Sequence, residues 1–365
     1  MARLRRLLVL ALGNLAVFAL LFALLEVGVR IFHDGLRETC SRIVHGEPAP
    51  YSNIGTGQWV ISDPELGYRL NPEQEGINSL SVRHAEVTIP KPPGLFRIVV
   101  LGDSIPWAKG AFGFVEDIAK RIETRGAVEV INAAVSGYTS FQELTFFKRY
   151  LLQVEPDLVV WTYCLNDNHK FLHRFDEKAQ MLFTDEAARS LEIHSSWDWI
   201  VSRSYVLTWI RVGLLARQEP VTAQTARFVW ETRPDFNIAW KDYSWRFYES
   251  HLAEMVDLLK PRGIRLAIVV FPYEPQIIYR KMRDRLDEIL APQHHLEGLC
   301  RKYSVPCLDL YPSFERAYEQ GRTLYRDGIH PNPEGHTLTA DEVLRFLDAE
   351  RLLPMPTMAG TGGGE

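Results

Sequence analysis

From residue 97 onward, short β-branched runs alternate with helical stretches. The runs are RIVVL (97–101), VEVIN (128–132), LVVWTY (158–163), RLAIVVF (265–271) and VPCLDL (305–310). Apolar runs this short and this continuous are strands buried on both faces, which requires a sheet covered by helices on both sides. The intervening stretches, such as SFQELTFFKRYLLQVEP and YSWRFYESHLAEMVDLLKPRG, read as helices that stop at Pro or Gly just before the next strand. PEGHTLTADEVLRFLDAE would close the domain. Strand then helix, repeated, predicts a doubly wound α/β fold: a parallel sheet of about five strands in three αβα layers, over residues 96–350.

The flanks read differently. Arg3, Arg5 and Arg6 precede a run from Leu7 to Val29 in which only Asn14 and Glu26 are polar. A hydrocarbon core needs roughly 20 apolar residues, so residues 1–31 are expected to form a cytoplasmic tip and an uncleaved transmembrane anchor. A cleaved signal peptide is the competing reading, but its apolar region is shorter and a small-residue cleavage site follows it. The positive-inside bias then places the remaining chain outside the cytoplasmic membrane. Residues 32–95, rich in Pro, Gly, Asn and Ser and ending at PKPPG, read as an extended lead segment. The third and fourth runs are separated by about 100 residues, too many for an ordinary connection. A helical insertion over about 168–250 is expected, with Trp197, Trp199, Trp209, Trp230, Trp240 and Trp245 as packing residues or as a cap over the site. Residues 351–365 read as a flexible tail.

Composition narrows the classes. The chain has 365 residues, 46% hydrophobic and 24% charged, which suffices for a sizeable core. A net charge of -5 with no basic block beyond the first six residues gives no footprint for nucleic acid. Cys40, Cys164, Cys300 and Cys307 are too few for a disulfide framework, and no C-x-x-C suggests a zinc site. Cys300 and Cys307 could pair, or lie buried as two separate thiols.

In an open α/β sheet, ligands bind outside the carboxyl ends of the strands. The residues delivered there are Ser104, then Gly137 in NAAVSGYTS, Asn166 and Asp167 in CLNDN, and Asp327 and His330 in YRDGIHPNPEGH. Ester cleavage needs such parts. A serine hydroxyl becomes a nucleophile when a neighbouring base takes its proton, and His330 is suited to that near neutral pH. Asp327, three residues earlier, could hold the imidazole in the right tautomer. The backbone N–H groups of Ser104 and Gly137 and the amide of Asn166 are candidate donors to the oxyanion. Singly, each has an ordinary alternative: Gly102-Asp103-Ser104 could simply start a helix, and Asp327-Gly328 could be a turn.

Together, VVLGDSI, INAAVSGY, CLND and DGIH resemble the four blocks of the SGNH or GDSL hydrolases. That resemblance implies a flavodoxin-like fold, a nucleophile at Ser104, oxyanion positions at Ser104, Gly137 and Asn166, Asp327 with His330 completing the triad, and supporting places for Asp103 and Asp167. No cofactor or metal is implied. LGYRLNP and NSLSVR are also similar to the preamble of membrane-anchored bacterial members. The chain departs from the family where Cys164 replaces the glycine of G-x-N-D, and where Pro106 follows GDSI; the cysteine reads as a small buried filler.

The expected function is hydrolysis of an O-acetyl or short acyl ester on an extracytoplasmic glycan or lipid. The alternatives are an O-acetyltransferase acting on a surface polysaccharide and a non-catalytic glycan- or lipid-binding protein. A metal-dependent phosphoesterase fits less well, because Ser104 and Ile105 stand where its opening ligand pair would be. His169 and His173 then read as ordinary helix residues bordering the cleft.

Overall fold

The computed structural model describes residues 2–32, 59–108, 113–122, 125–176, 181–184, 204, 206–207, 236–278 and 286–354. Two compact units emerge, one of Met1–Tyr51 with Phe183–Thr222 and one of Ser52–Leu182 with Ala223–Glu365.

The first unit contains helix α1 (Ala2–Phe32). Leu10, Leu15, Phe18, Leu21 and Leu24 on it are exposed, each by half or more. Glu26 is engaged with protein: its carboxylate accepts from Ser204 Oγ at 2.8 Å and from the Val206 N–H at 3.1 Å. The transmembrane span expected over Leu7–Val29 is not found. Among the described residues, no helix is long and apolar enough to cross a membrane. A carboxylate held by hydrogen bonds interrupts the run near its end, and the side chains of Leu7, Leu8, Val9, Ala11 and Val29 lie outside the described residues.

In the second unit, β1 (Val60–Asp63) and β2 (Gly67–Leu70) form an antiparallel hairpin. The main sheet follows: β3 (Phe96–Leu101), β4 (Val128–Asn132), β5 (Leu158–Tyr163), then, after the short strands β6 (His173–Asp176) and β7 (Met181–Thr184), β8 (Arg265–Val270) and β9 (Cys307–Asp309). Its order is β4-β3-β5-β8-β9, parallel throughout. The five runs read from the sequence are these five strands. Every residue of β5 is buried, as a central strand covered on both faces must be.

Between β3 and β4 lie α2 (Ser104–Trp107) and α3 (Phe114–Ile122). Helix α3 starts with Glu116 and Asp117 and ends with Lys120 and Arg121, matching the helix dipole, and buries Phe114, Val115, Ile118 and Ile122. Then come α4 (Ser140–Phe146), α5 (Trp245–Leu259), α6 (Glu274–Ile278), α7 (Leu286–Ile289), α8 (Ala291–Tyr303), α9 (Tyr311–Glu319) and α10 (Pro333–Ala349). Helix α10 packs on α3 and α9, while α5 packs on α4 and α8. Strand order reverses at β3. One right-handed crossover therefore leads outward to β4 while the next leads the other way to β5, which puts helices on opposite faces and opens a crevice at the ends of β3 and β5.

The lead segment shares this core. Tyr68, Leu66 and Val60 are buried within it, and Arg97, fully buried at the start of β3, donates to Thr88, Val154 and Glu129. Of the six tryptophans, Trp245 stacks on Tyr163 inside the core and the Trp240 indole donates to the Glu288 carbonyl. Trp197, Trp199, Trp209 and Trp230, with most of the insertion, Cys40 and residues 355–365, lie outside the described residues. The start of the expected helical insertion is a two-stranded sheet of β6 and β7 instead. Cys300 and Cys307 are free thiols close enough to hydrogen-bond.

Candidate active site

The segment after β3 turns sharply. A Cβ on Gly102 would lie 1.9 Å from Thr162 Oγ1 and 2.5 Å from Pro106 Cγ, so a side chain there is excluded. Asp103 then caps α2: its Oδ1 accepts from the Ile105 N–H at 3.0 Å. The capping role thus belongs to Asp103, the neighbour of Ser104. Ser104, first residue of the helix and half-buried, has its hydroxyl available for another partner. The helix ends after one turn at Ala108, whose φ is 43°.

That partner is His330. Its Nε2 lies 2.8 Å from Ser104 Oγ. Its Nδ1 lies 2.9 Å from both carboxylate oxygens of Asp327. A carboxylate only accepts, so Nδ1 carries the proton and Nε2 presents its lone pair to the serine. The loop holding the pair is tightly made. Asp327 Oδ1 also accepts the backbone N–H groups of His330 (2.9 Å) and Ile329 (3.3 Å), and Gly328 adopts φ 81°. The Tyr325 hydroxyl donates to the Pro272 carbonyl at 2.6 Å, and the Glu274 N–H donates to the Gly328 carbonyl at 3.1 Å, tying the loop to the end of β8. Burial pushes the Asp327 carboxyl up, but hydrogen bonds from the His330 backbone and ring outweigh this and hold it below the ordinary value. It stays ionised at neutral pH.

The other two loops meet the same rim. The Val135 N–H donates to the Gly102 carbonyl at 3.0 Å, bringing the loop after β4 beside the nucleophile turn. Gly137 has φ 81°, and a Cβ there would come within 2.3 Å of His173 Cδ2 and 2.9 Å of the Tyr68 hydroxyl. After β5, the chain makes a turn closed by the Asp167 N–H on the Cys164 carbonyl (2.9 Å) and by the Cys164 N–H on Asp167 Oδ2 (2.8 Å). Asn166 at its tip is buried, its side chain interacts with Asp103, and its Oδ1 has no hydrogen-bond partner. The structure therefore brings Ser104, His330 and Asp327 into contact, joins Asn166 to Asp103, and carries Gly137 and Asp167 on the adjoining loops.

A buried acidic group lies beneath. Desolvation raises the carboxyls of Asp103, Glu143 and Asp167; Asp103 further raises both Glu143 and Asp167, and Glu143 raises Asp167. The Trp161 indole donates to Glu143 Oε2, partly offsetting the rise there. Burial, then the nearby Asp103 and Asp167, push the Cys164 thiol well up, so it is a neutral filler with no thiolate to offer. His169 and His173 are not helix residues: His169 donates its N–H to the Asn166 carbonyl in the turn, and His173 opens β6, buried against Gly137. Glu143 and Tyr68 were not singled out in the sequence, and His173 was read there only as a helix residue bordering the cleft. A carboxylate between Gln142 and Leu144, with which it is buried on the same short helix, was the one available hint for Glu143.

Chemically, such a site can take a proton from a serine hydroxyl, store it on an imidazole and return it to a leaving group. The description of the GDSL-like lipase/acylhydrolase family matches residues 100–338 of the chain. A GDSL esterase/lipase of Arabidopsis thaliana, CPRD49, is 26% identical over 113 residues, which is 26% of this chain and 44% of that protein. The chain thus spans less than half the length of that curated relative. Among solved structures, an acetyl xylan esterase variant of Geobacillus stearothermophilus shares 13% identity and a TM-score of 0.41, covering 69% of this chain and 94% of the other. A lipolytic G-D-S-L family protein of Veillonella parvula shares 13% identity and a TM-score of 0.39, covering 68% and 97%. With its family match extending over well more than half its length, the chain belongs to the GDSL-like lipase/acylhydrolase family.

Proposed function

We propose that the chain is a serine esterase that removes an acetyl or other short acyl group from a glycan or lipid, through an acyl-enzyme on Ser104. The observation that carries this reading is the unbroken relay from Ser104 Oγ to His330 Nε2 (2.8 Å) and from His330 Nδ1 to Asp327 (2.9 Å). Ser104 Oγ attacks the ester carbonyl while its proton passes to His330 Nε2. The carbonyl electron pair moves to oxygen, where the N–H groups of Ser104 and Gly137 and the Asn166 amide stabilise it. Asp103 and Asp167 hold Asn166 and its turn. Collapse breaks the bond to the alcohol, which takes the proton from His330; water then repeats the sequence and frees the acid.

A membrane-surface setting belongs to the same proposal. Three arginines followed by exposed Leu10, Leu15, Phe18, Leu21 and Leu24 suit a helix that seats apolar side chains in lipid and keeps the hydrolase unit at a membrane surface. The test is hydrolysis of p-nitrophenyl acetate by the full chain, with Ser104→Ala and His330→Ala. Turnover lost by at least about 10³-fold in each variant supports the reading. Turnover unchanged in Ser104→Ala refutes it. Acetyl transfer to an added glycan with no release to water would place the chain among transferases instead.

A further inference from the structure

The stretch NSLSVR of the lead segment, residues 78–83, has no part in the relay, yet it ends against the helix that carries Ser104. Its own first side chain folds it. Asn78 Oδ1 accepts the N–H groups of Leu80 and Val82, each at 3.0 Å, and Asn78 Nδ2 donates to the Ala85 carbonyl at 3.1 Å. Val82 is buried in the core, which ties the loop down and delivers the next residue, Arg83, to α2. The Arg83 guanidinium lies over the Trp107 ring, 4.9 Å from its centre, where the face of the indole attracts a cation. It also pairs with Glu116 of α3.

Glu116 gathers several groups at this place. Its Oε1 also accepts from Asn132 Nδ2 at 3.0 Å, and its Oε2 accepts the Gly113 N–H at 3.0 Å. Asn132 Nδ2 in turn donates to the Pro106 carbonyl at 2.8 Å. Arg83, Glu116 and Asn132 therefore converge on Pro106 and Trp107, the rear half of α2. A one-turn helix does not hold its own geometry, since helix formation gains only as turns are added. The front of α2 is set by the Asp103 cap and by the close packing around Gly102. Its rear is set by this cluster, and Trp107 stands three residues from Ser104, on the same side of the helix.

We infer that Arg83 is a positioning residue for the nucleophile: by pairing with Glu116 and covering Trp107 it fixes the rear of α2, and with it the direction from which Ser104 Oγ meets His330 Nε2. The inference rests on the esterase reading above and gives the lead segment a part in that reaction. Arg83 acts through Trp107 and takes no part in bond making. A lysine could still pair with Glu116 but lacks the planar group that stacks on an indole.

The experiment measures the rate constant and the final extent of fluorophosphonate labelling at Ser104, with kcat and KM for p-nitrophenyl acetate per labelled serine. It uses the full chain and its variants Arg83→Ala, Arg83→Lys, Trp107→Leu and Lys91→Ala. Lys91 is the control: it joins the same lead segment to Asp157 at 2.6 Å, just before the amino end of β5 and away from the rim that holds the relay. Misplacing a reacting group by about an ångström costs about 10²-fold. Asn132 still holds Pro106 in these variants, so Arg83→Ala should lower the labelling rate constant and kcat by about tenfold, with KM within about twofold. Trp107→Leu should lower both by at least about fivefold, Arg83→Lys should fall between wild type and Arg83→Ala, and Lys91→Ala should keep wild-type rates. A residue that only stabilised the fold would change the final extent of labelling and leave the rate constant alone. Rate constants within about twofold of wild type in Arg83→Ala and Trp107→Leu overturn the inference and leave the esterase reading intact. So does a loss in Lys91→Ala as large as that in Arg83→Ala. If Arg83→Ala does not fold, the rate constants of Arg83→Lys and Trp107→Leu decide by the same criterion. A wild type that is neither labelled nor active overturns the reading, and the inference with it.

Discussion

Replacing Gly137 by alanine should injure both stability and chemistry, and the structure separates two causes. The first is conformational: at φ 81° an L-residue costs about 1–2 kcal/mol. The second is steric. The new Cβ would stand 2.3 Å from His173 Cδ2, and ordinary contact begins near 3.4 Å, so a ring that is 1% exposed must move by about an ångström. Overpacking of this kind costs about 1–3 kcal/mol, for a total of about 2–5 kcal/mol. Gly76→Ala is the control. Gly76 has φ 82° with nothing within 4 Å of its would-be Cβ, so it carries the conformational cost alone. Urea unfolding of the two variants should differ by about 1–3 kcal/mol, with Gly137→Ala the weaker. Displacing the backbone N–H by the same amount should cost about 10²-fold in kcat/KM, while Gly76→Ala leaves it unchanged. If Gly137→Ala matches Gly76→Ala in stability and keeps activity within threefold, the packing of His173 on Gly137 and the proposed oxyanion role of its N–H are wrong.

Three further outcomes follow from the site. Asp327→Asn should keep the fold and lower kcat by about 10³–10⁴-fold in the p-nitrophenyl acetate assay, because an amide favours the wrong imidazole tautomer. Glu143→Gln should flatten the stability profile against pH. The folded-state carboxyl is raised, so its contribution is fully present below the ordinary value of 4.5 and declines as pH rises toward the folded-state value. The wild type should lose up to about 1.4 kcal/mol per pH unit there relative to the variant, as denaturant melts at a series of pH values would show. Because Cys164 is buried and neutral, a small maleimide should leave native activity unchanged; rapid inactivation that Cys164→Gly abolishes would contradict this.

The sheet was legible because each central strand must be apolar on both faces, and RIVVL and LVVWTY have no polar alternation to permit anything else. The relay was legible because Asp327 and His330 lie three residues apart and one loop sets their geometry. The environment of Gly137 was not. Tyr68 and His173 reach Gly137 from positions 69 residues before and 36 after it, and contacts at such separations leave no period in a sequence. The capping of α2 was half-read: the turn did start a helix, but Asp103 supplies the cap and leaves Ser104 for His330. The run at the amino terminus predicted a spanning helix from hydropathy alone, which does not register that Glu26 is hydrogen-bonded by Ser204 and Val206.

The most direct test of the central claim is peptide mass spectrometry of the full chain after a brief reaction with a fluorophosphonate. The account predicts a single stoichiometric adduct on Ser104, strongly slowed in His330→Ala, where no base takes the hydroxyl proton. An adduct on another residue, or labelling of Ser104 at the same rate without His330, would contradict it.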